Sequence, residues 1–161
     1  MHIFLKRMDR NVHSFFMSQI KNVNLGDNVS IVQPCNLYGC KIGNNVKIGP
    51  FVEIQAGAEI GDDSIISSHS FICSGVKIGK KTFIGHGVMF INDLFDSDSI
   101  RDWKMKETIV GDNVRIGSNA TILPVHIGDD SIIGAGSVVT KNVPGGCKAY
   151  GNPTKMYANE L

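Results

Sequence analysis

A period of six governs this chain. Ile42, Ile48, Ile54, Ile60, Ile66, Ile72, Ile78, Ile84 and Phe90 follow one another at six-residue steps without a break. Four positions after each of the first eight stands Val46, Val52, Ala58, Ser64, Ser70, Val76, Thr82 or Val88, each of them small or β-branched. Neither the 3.6-residue period of a helix nor the alternation of a long strand sustains such a spacing. A short strand and a turn per unit does, with two inward positions in each. Three units then close one triangular coil of eighteen residues, and stacked coils pair as parallel strands about 4.8 Å apart. The spacing therefore predicts an all-β parallel β-helix, a triangular solenoid cored by a column of Ile and Val. Gly43, Gly49, Gly61, Gly79 and Gly85 follow the large residue directly, where the lack of a Cβ is expected to permit a tight bend. Gln55, Ser67, Cys73 and Ile91 are the exceptions. Periodicity does not fix the hand of the coil, and the general crossover rule favours the right.

The pattern also marks the boundaries of the solenoid. It begins at Leu25, Ile31 and Leu37, slips by one residue to Ile42, stops after Phe90, resumes at Val110, Ile116 and Ile122, slips again to Ile127 and runs on through Ile133 and Val139. About six coils result, over residues 25–143. Residues 1–24 lack the pattern but carry Phe4, Leu5, Phe15, Phe16 and Ile20, apolar enough to cap an open end of the column, as solenoids require. Residues 144–161 form a tail expected to fold back or to reach a neighbour. The one long interruption is a loop over residues 93–109, whose stretch LFDSDSIRDWKMKE between Asp93 and Thr108 is polar, holds the sole Trp and must leave the column. An excursion from a regular scaffold often carries function.

Composition excludes several alternatives. The 161 residues suffice for one domain with a continuous core. With Lys+Arg at 16, Asp+Glu at 15 and a net charge of +1, there is no electrostatic case for nucleic acid or an anionic membrane surface. The stretch from Met1 to Ile20 is interrupted by Lys6, Arg7, Asp9 and Arg10, leaving apolar runs too short for a signal sequence or a membrane span. A cytoplasmic location is expected. Cys35, Cys40, Cys73 and Cys147 form no CxxC pair, so neither a zinc site nor a disulfide framework is expected.

The closing run IGDDSIIGAGSVVTKNVP with GNPTK, within Val110 to Lys155, resembles the last coils and tail of the hexapeptide-repeat acyltransferases, a group that includes galactoside and serine acetyltransferases. The stretch from Phe51 to Asp93, FVEIQAGAEIGDDSIISSHSFICSGVKIGKKTFIGHGVMFIND, resembles N-acetyltransferases that act on 3-amino sugars carried by a nucleotide diphosphate, for surface polysaccharides such as lipopolysaccharide. Ser74 stands where those relatives often have Glu. The resemblance implies a left-handed coil, a homotrimer with active sites in clefts between columns, and acetyl-CoA lying along the carboxyl-terminal coils. It assigns Ser118, Ala135, Thr140, Lys141 and Lys155 to CoA, the two lysines serving its phosphates as point charges.

Positions eighteen apart share a face and a height, so Ala56, Ser74 and Asn92 form one stack and Gly57, Gly75 and Asp93 the next. Asn92 and Asp93 stand over small residues at the root of the loop, where a pocket is expected. Asn92 is assigned to hold the acceptor amine through its side-chain oxygen and Asp93 to orient the sugar. His86 is assigned to proton transfer, for which imidazole is suited near neutral pH. His69, about one coil away, joins Ser74, Glu53 and Gln55 as the acceptor-binding group. His86 and His69 lie on another face from Asn92. His126, forty residues beyond His86, completes no three-histidine metal site, and no metal is expected. The chain is thus read as an acetyl-CoA-dependent N-acetyltransferase on a nucleotide-linked amino sugar. Two alternatives stand beside that reading, an O-acetyltransferase on a sugar hydroxyl, which would need a true general base, and a non-enzymatic solenoid scaffold.

Overall fold

A computed structural model describes residues 19–99 and 101–158. The expected caps Phe4, Leu5, Phe15 and Phe16 lie outside these. The chain winds as a left-handed parallel β-helix of strands two to four residues long on three faces. The first face stacks Gln19–Lys21, Asn36–Tyr38, Glu53–Ile54, Phe71–Ile72, Met89–Phe90, Thr121–Ile122 and Val138–Val139. The second stacks Asn24–Leu25, Lys41–Ile42, Glu59–Ile60, Val76–Ile78, Thr108–Val110 and His126–Ile127. The third stacks Ser30–Ile31, Lys47–Ile48, Ile65–Ile66, Phe83–Ile84, Arg115–Ile116 and Ile132–Ile133, and closes with Cys147–Tyr150 and Lys155–Ala158. We call the turn from first face to second the first edge, from second to third the second edge, and from third back to first the third edge.

The registers are those of the six-residue spacing. Ile54 pairs with Ile72, Ile60 with Ile78 and Ile66 with Ile84, and Ile48, Ile54, Ile66, Ile72, Ile84, Ile116, Ile122 and Ile127 are fully or almost fully buried. Each such side chain contributes about 1.5 to 3 kcal/mol by leaving water. Where the small inward residue is Ser or Thr, its hydroxyl bonds the next coil instead of leaving a buried polar group unpaired. Ser64 Oγ donates to Gly79 O at 2.9 Å, Thr82 N donates to Ser64 Oγ at 3.1 Å, and Thr82 Oγ1 donates to Gly111 O at 3.0 Å. The column also runs further than the spacing shows, because Ile20 pairs with Leu37 in a strand that precedes Leu25.

The glycines after the large residues serve clearance between coils rather than bending. A Cβ on Gly49 would lie 2.7 Å from Ser68 N, and one on Gly85 2.6 Å from Ser118 N, so any side chain there would push the next coil away. The left-handed bend falls two residues later, at Asn45, Phe51, Asp63, His69, Lys81, Asn113, Asn119 and Asp130, all with φ between 53° and 63°. Along the second edge those positions are mostly Asn and Asp, which tolerate this conformation and bond one another between coils. Asn45 Nδ2 donates to Asp63 Oδ1 at 3.0 Å.

Every departure from the repeat falls at the first edge. The one-residue slips after Ile20, Leu37 and Ile122 shorten that turn, and the long excursion between Phe90 and Thr108 enlarges it. The tail folds back as expected, Cys147–Tyr150 extending the third face in parallel and Lys155–Ala158 returning antiparallel to it. Among the described residues no helix is long and apolar enough to cross a membrane.

Candidate active site

The excursion loop is pinched shut at its root. Lys106 N donates to Asn92 O at 2.9 Å, Thr108 N donates to Gly75 O at 3.2 Å, and Lys106 Nζ meets Asp96 Oδ2 at 2.9 Å. That hydrogen bond from Lys106, with the lysine's charge, holds the Asp96 carboxyl below its ordinary value of 3.8. Met105 lies over Gly75, where an added Cβ would sit 3.1 Å from its sulfur. The small residue at 75 is therefore what lets the loop settle against the column.

Asn92 is fixed by the coil beneath it. Its Nδ2 donates to Ser74 O at 3.0 Å, which fixes the orientation of the amide and leaves Oδ1 and the second Nδ2 hydrogen for other partners. Ser74 N in turn donates to Gln55 Oε1 at 3.3 Å, and Gln55 Nε2 donates to Glu53 Oε1 at 3.1 Å. Asp93 Oδ1 accepts from Phe95 N at 2.8 Å, a local turn of the kind Asp commonly makes, and its second oxygen remains. Hydrogen bonds thus link Glu53, at the end of the first face, with Gln55, Ser74 and Asn92 at the first edge, and Asp93 follows Asn92 in the chain. Sequence reasoning missed Tyr38, whose phenol is raised from its ordinary value by burial and by the negative charge of Glu53, against a lowering by a hydrogen bond with Gln55. The slip after Leu37 shifts Tyr38 to seventeen residues before Gln55, which hides it from an eighteen-residue count.

Thr140 and Lys141 belong to the same edge. Because Ile122 pairs with Val139 and Ile91 N donates to Ile122 O, Lys141 follows Asn92 by two coils, or about 10 Å. Both are exposed. His69, His86, Ser118 and Ala135 gather elsewhere, on the third edge. His86 N donates to Ser118 Oγ at 3.1 Å, Gly136 N donates to Ser118 O at 2.8 Å, and Ile116 pairs with Ile133, which sets Ala135 beside Ser118. The strand Met89–Phe90 separates His86 from Asn92, a span of up to about 20 Å. Lys155 lies apart, in the returning strand opposite Tyr150.

Within one chain the assigned residues therefore occupy the two edges that flank the first face. One concavity of about 470 Å³ lies along the second face, lined by Lys41, Glu59, Lys77 and Ile109 among others, and holds none of the assigned residues. Cys35, Cys40 and Cys73 are buried and Cys147 half-buried; burial pushes the Cys73 thiol up to about 11, too high for a thiolate nucleophile near neutral pH. Among the described residues no group of three His, Cys, Asp or Glu side chains could hold a metal ion.

The architecture and the two edges define a class, the hexapeptide-repeat left-handed β-helices with one excursion loop. A family model described as bacterial transferase hexapeptide (six repeats) matches residues 39–74, and one described as hexapeptide repeat of succinyl-transferase matches residues 107–141. Both matched segments are thus similar to the hexapeptide repeats of bacterial transferases. Among curated relatives, the bifunctional protein GlmU of Prochlorococcus marinus (strain MIT 9313) is 34% identical over 152 residues, 88% of this chain and 34% of that protein. GlmU of Acetivibrio thermocellus is 38% identical over 107 residues, 66% of this chain and 21% of that protein. The chain spans about a third or less of the length of such relatives. Among solved structures, a mutant of AntD, an N-acyltransferase from Bacillus cereus in complex with dTDP and coenzyme A, shares the fold with a TM-score of 0.74 at 24% identity, over 83% of this chain and 82% of that one. A mutant perosamine N-acetyltransferase from Caulobacter crescentus, in complex with CoA and GDP-perosamine, gives 0.62 at 24% identity, over 88% and 58%.

Proposed function

We propose that this chain transfers an acetyl group from acetyl-CoA to the amine of a nucleotide-linked amino sugar, in the cytoplasm, for surface polysaccharide synthesis, and that it acts as a homotrimer. The observation that carries this reading is the Asn92 carboxamide, pinned through Nδ2 to Ser74 O at the loop root so that Oδ1 is presented as an acceptor. An amine N–H is the donor that matches it. In the reaction the amine nitrogen attacks the thioester carbonyl, the C–S bond breaks from the tetrahedral oxyanion, and the amine proton leaves to a base or to the departing thiolate. Asn92 orients the nucleophile, Asp93 steadies the sugar through its remaining oxygen, and Glu53, Gln55 and Ser74 hold Asn92 and the acceptor in place. Orientation of this kind, with fixed donors for the oxyanion, supplies most of what acyl transfer to an amine needs.

A ring of three supports the division of residues between two edges. A threefold assembly joins unlike surfaces of neighbouring chains, so the first edge of one column can meet the third edge of the next. There His86 and His69 would approach the Asn92 group, and Ser118 and Ala135 of one chain would share a CoA with Thr140 and Lys141 of the other. The test is release of free thiol from acetyl-CoA over a panel of nucleotide-linked amino sugars and their hydroxyl counterparts. Turnover with an amine and not with its hydroxyl counterpart is expected; turnover only with the hydroxyl sugars, or with none, rejects the reading.

A further inference from the structure

At the third edge two aromatic rings sit where the coil favours glycine or an amide side chain. Phe51 and His69 both occupy the left-handed bend, with φ of 60° and 63°. The corresponding residues of the other edges are Gly57 and Gly75 on the first and Asn45, Asp63, Lys81, Asn113 and Asp130 on the second, so an aromatic ring at this bend is confined to the third edge among them. For Phe51 this conformation is a true outlier, whereas His adopts it more readily, and such strain persists where it serves a site. Burial does not account for it, because Phe51 is 55% exposed. The two rings are stacked, with centroids 4.7 Å apart and planes 13° from parallel.

The next coils complete the shape. Gly87 follows His69 at the same bend and presents no side chain, and Asn119 follows Gly87 with its carboxamide leaning toward the vacant Cβ position. His69 and Asn119 are two coils apart, about 10 Å, which admits one planar ring between them. The imidazole supplies a stacking face, and the carboxamide supplies both a donor and an acceptor for polar atoms on a ring's edge. Carbohydrate and pantetheine offer no such planar ring. A nucleobase does.

We propose that Phe51 and His69 form the stacking platform for a nucleobase, with Asn119 reading its edge. The base is that of the nucleotide-linked acceptor or the adenine of CoA, and the inference rests on the reading that this chain binds nucleotide-bearing ligands. Calorimetric titration of the full chain with dTDP, UDP, GDP and CoA tests it, on wild type, His69→Asn, His69→Trp and Phe51→Asn. Asn suits the left-handed bend, so neither Asn variant should melt lower than wild type. His69→Asn should weaken binding by roughly 5- to 150-fold, the usual worth of one aromatic stack, while His69→Trp retains it. Weakening confined to the nucleoside diphosphates assigns the platform to the acceptor, and weakening confined to CoA assigns it to adenine. Unchanged affinity for every probe that wild type binds overturns the platform and leaves the proposed function standing. Sedimentation of Phe51→Asn as a smaller assembly also overturns it, since Phe51 is then a subunit contact. Wild type that binds none of the four removes the nucleotide reading, and the platform with it.

Discussion

Ile72 and Asn92 show how differently two residues of one repeat can matter. Ile72 is fully buried between Ile54 and its later neighbours in the column, and nothing else reaches the space it fills. Ile72→Ala is expected to cost about 2 to 5 kcal/mol of stability, measured by thermal or denaturant unfolding. Asn92 is half-buried at an edge and bonded through one nitrogen to a backbone carbonyl. Asn92→Ala is expected to leave the melt nearly unchanged and to lower turnover by roughly one to three powers of ten, as loss of an orienting contact does. Wild-type turnover of the true amine acceptor by Asn92→Ala would place the amine elsewhere. The Ile is legible from periodicity alone, whereas the Asn needs the coil beneath it to acquire a direction.

At the level of elements, the first edge takes up every irregularity of an otherwise strict repeat, and the excursion loop is its largest. Its closure rests on two backbone bonds at the root and on the Asp96–Lys106 pair. Because the Asp96 carboxyl is held below its ordinary 3.8 by Lys106, the pair contributes fully above that ordinary value and is lost as pH falls through the lowered one. Trp103, the sole Trp, lies in this loop and is half-exposed. Its emission is expected to shift to the red on acidification across that window, while Asp96→Asn shows the shifted emission already at neutral pH. Identical neutral spectra for the variant and wild type would mean that the pair does not hold the loop. Both expected excursions from the column, loop and tail, were visible as breaks in the period. Their return paths were not, because Met105 over Gly75 and Lys148 opposite Tyr157 are contacts between residues that no spacing relates.

For the whole molecule, the proposed ring makes a prediction that no single column can meet. If one chain supplies Asn92 and its neighbour supplies His86, then chains carrying Asn92→Ala and chains carrying His86→Ala, each of low activity alone, should complement when co-expressed. Random threefold assembly from equal amounts leaves about one interface in four with both residues intact, so about a quarter of wild-type activity is expected. No recovery above the separate variants, or a monomer by sedimentation, would reject a site shared between chains. The concavity along the second face holds none of the assigned residues, whereas a shared interface would bring both edges to one substrate.

The sequence by itself determined the coil, its two inward positions, the buried column from Leu37 to Val139 and the place where the chain leaves it. A six-residue period is a local constraint, and any chain that buries its Ile at that interval must close three short strands per turn. Tertiary structure decided what the period does not encode. It moved the left-handed bend two residues beyond the glycines, whose absent Cβ atoms make room for the adjacent coil. It brought Tyr38 to Gln55 across a slipped turn and put Phe51 face to face with His69. It also closed the loop root through Lys106 N and Asn92 O, because backbone bonds between segments outside the repeat have no period to announce them.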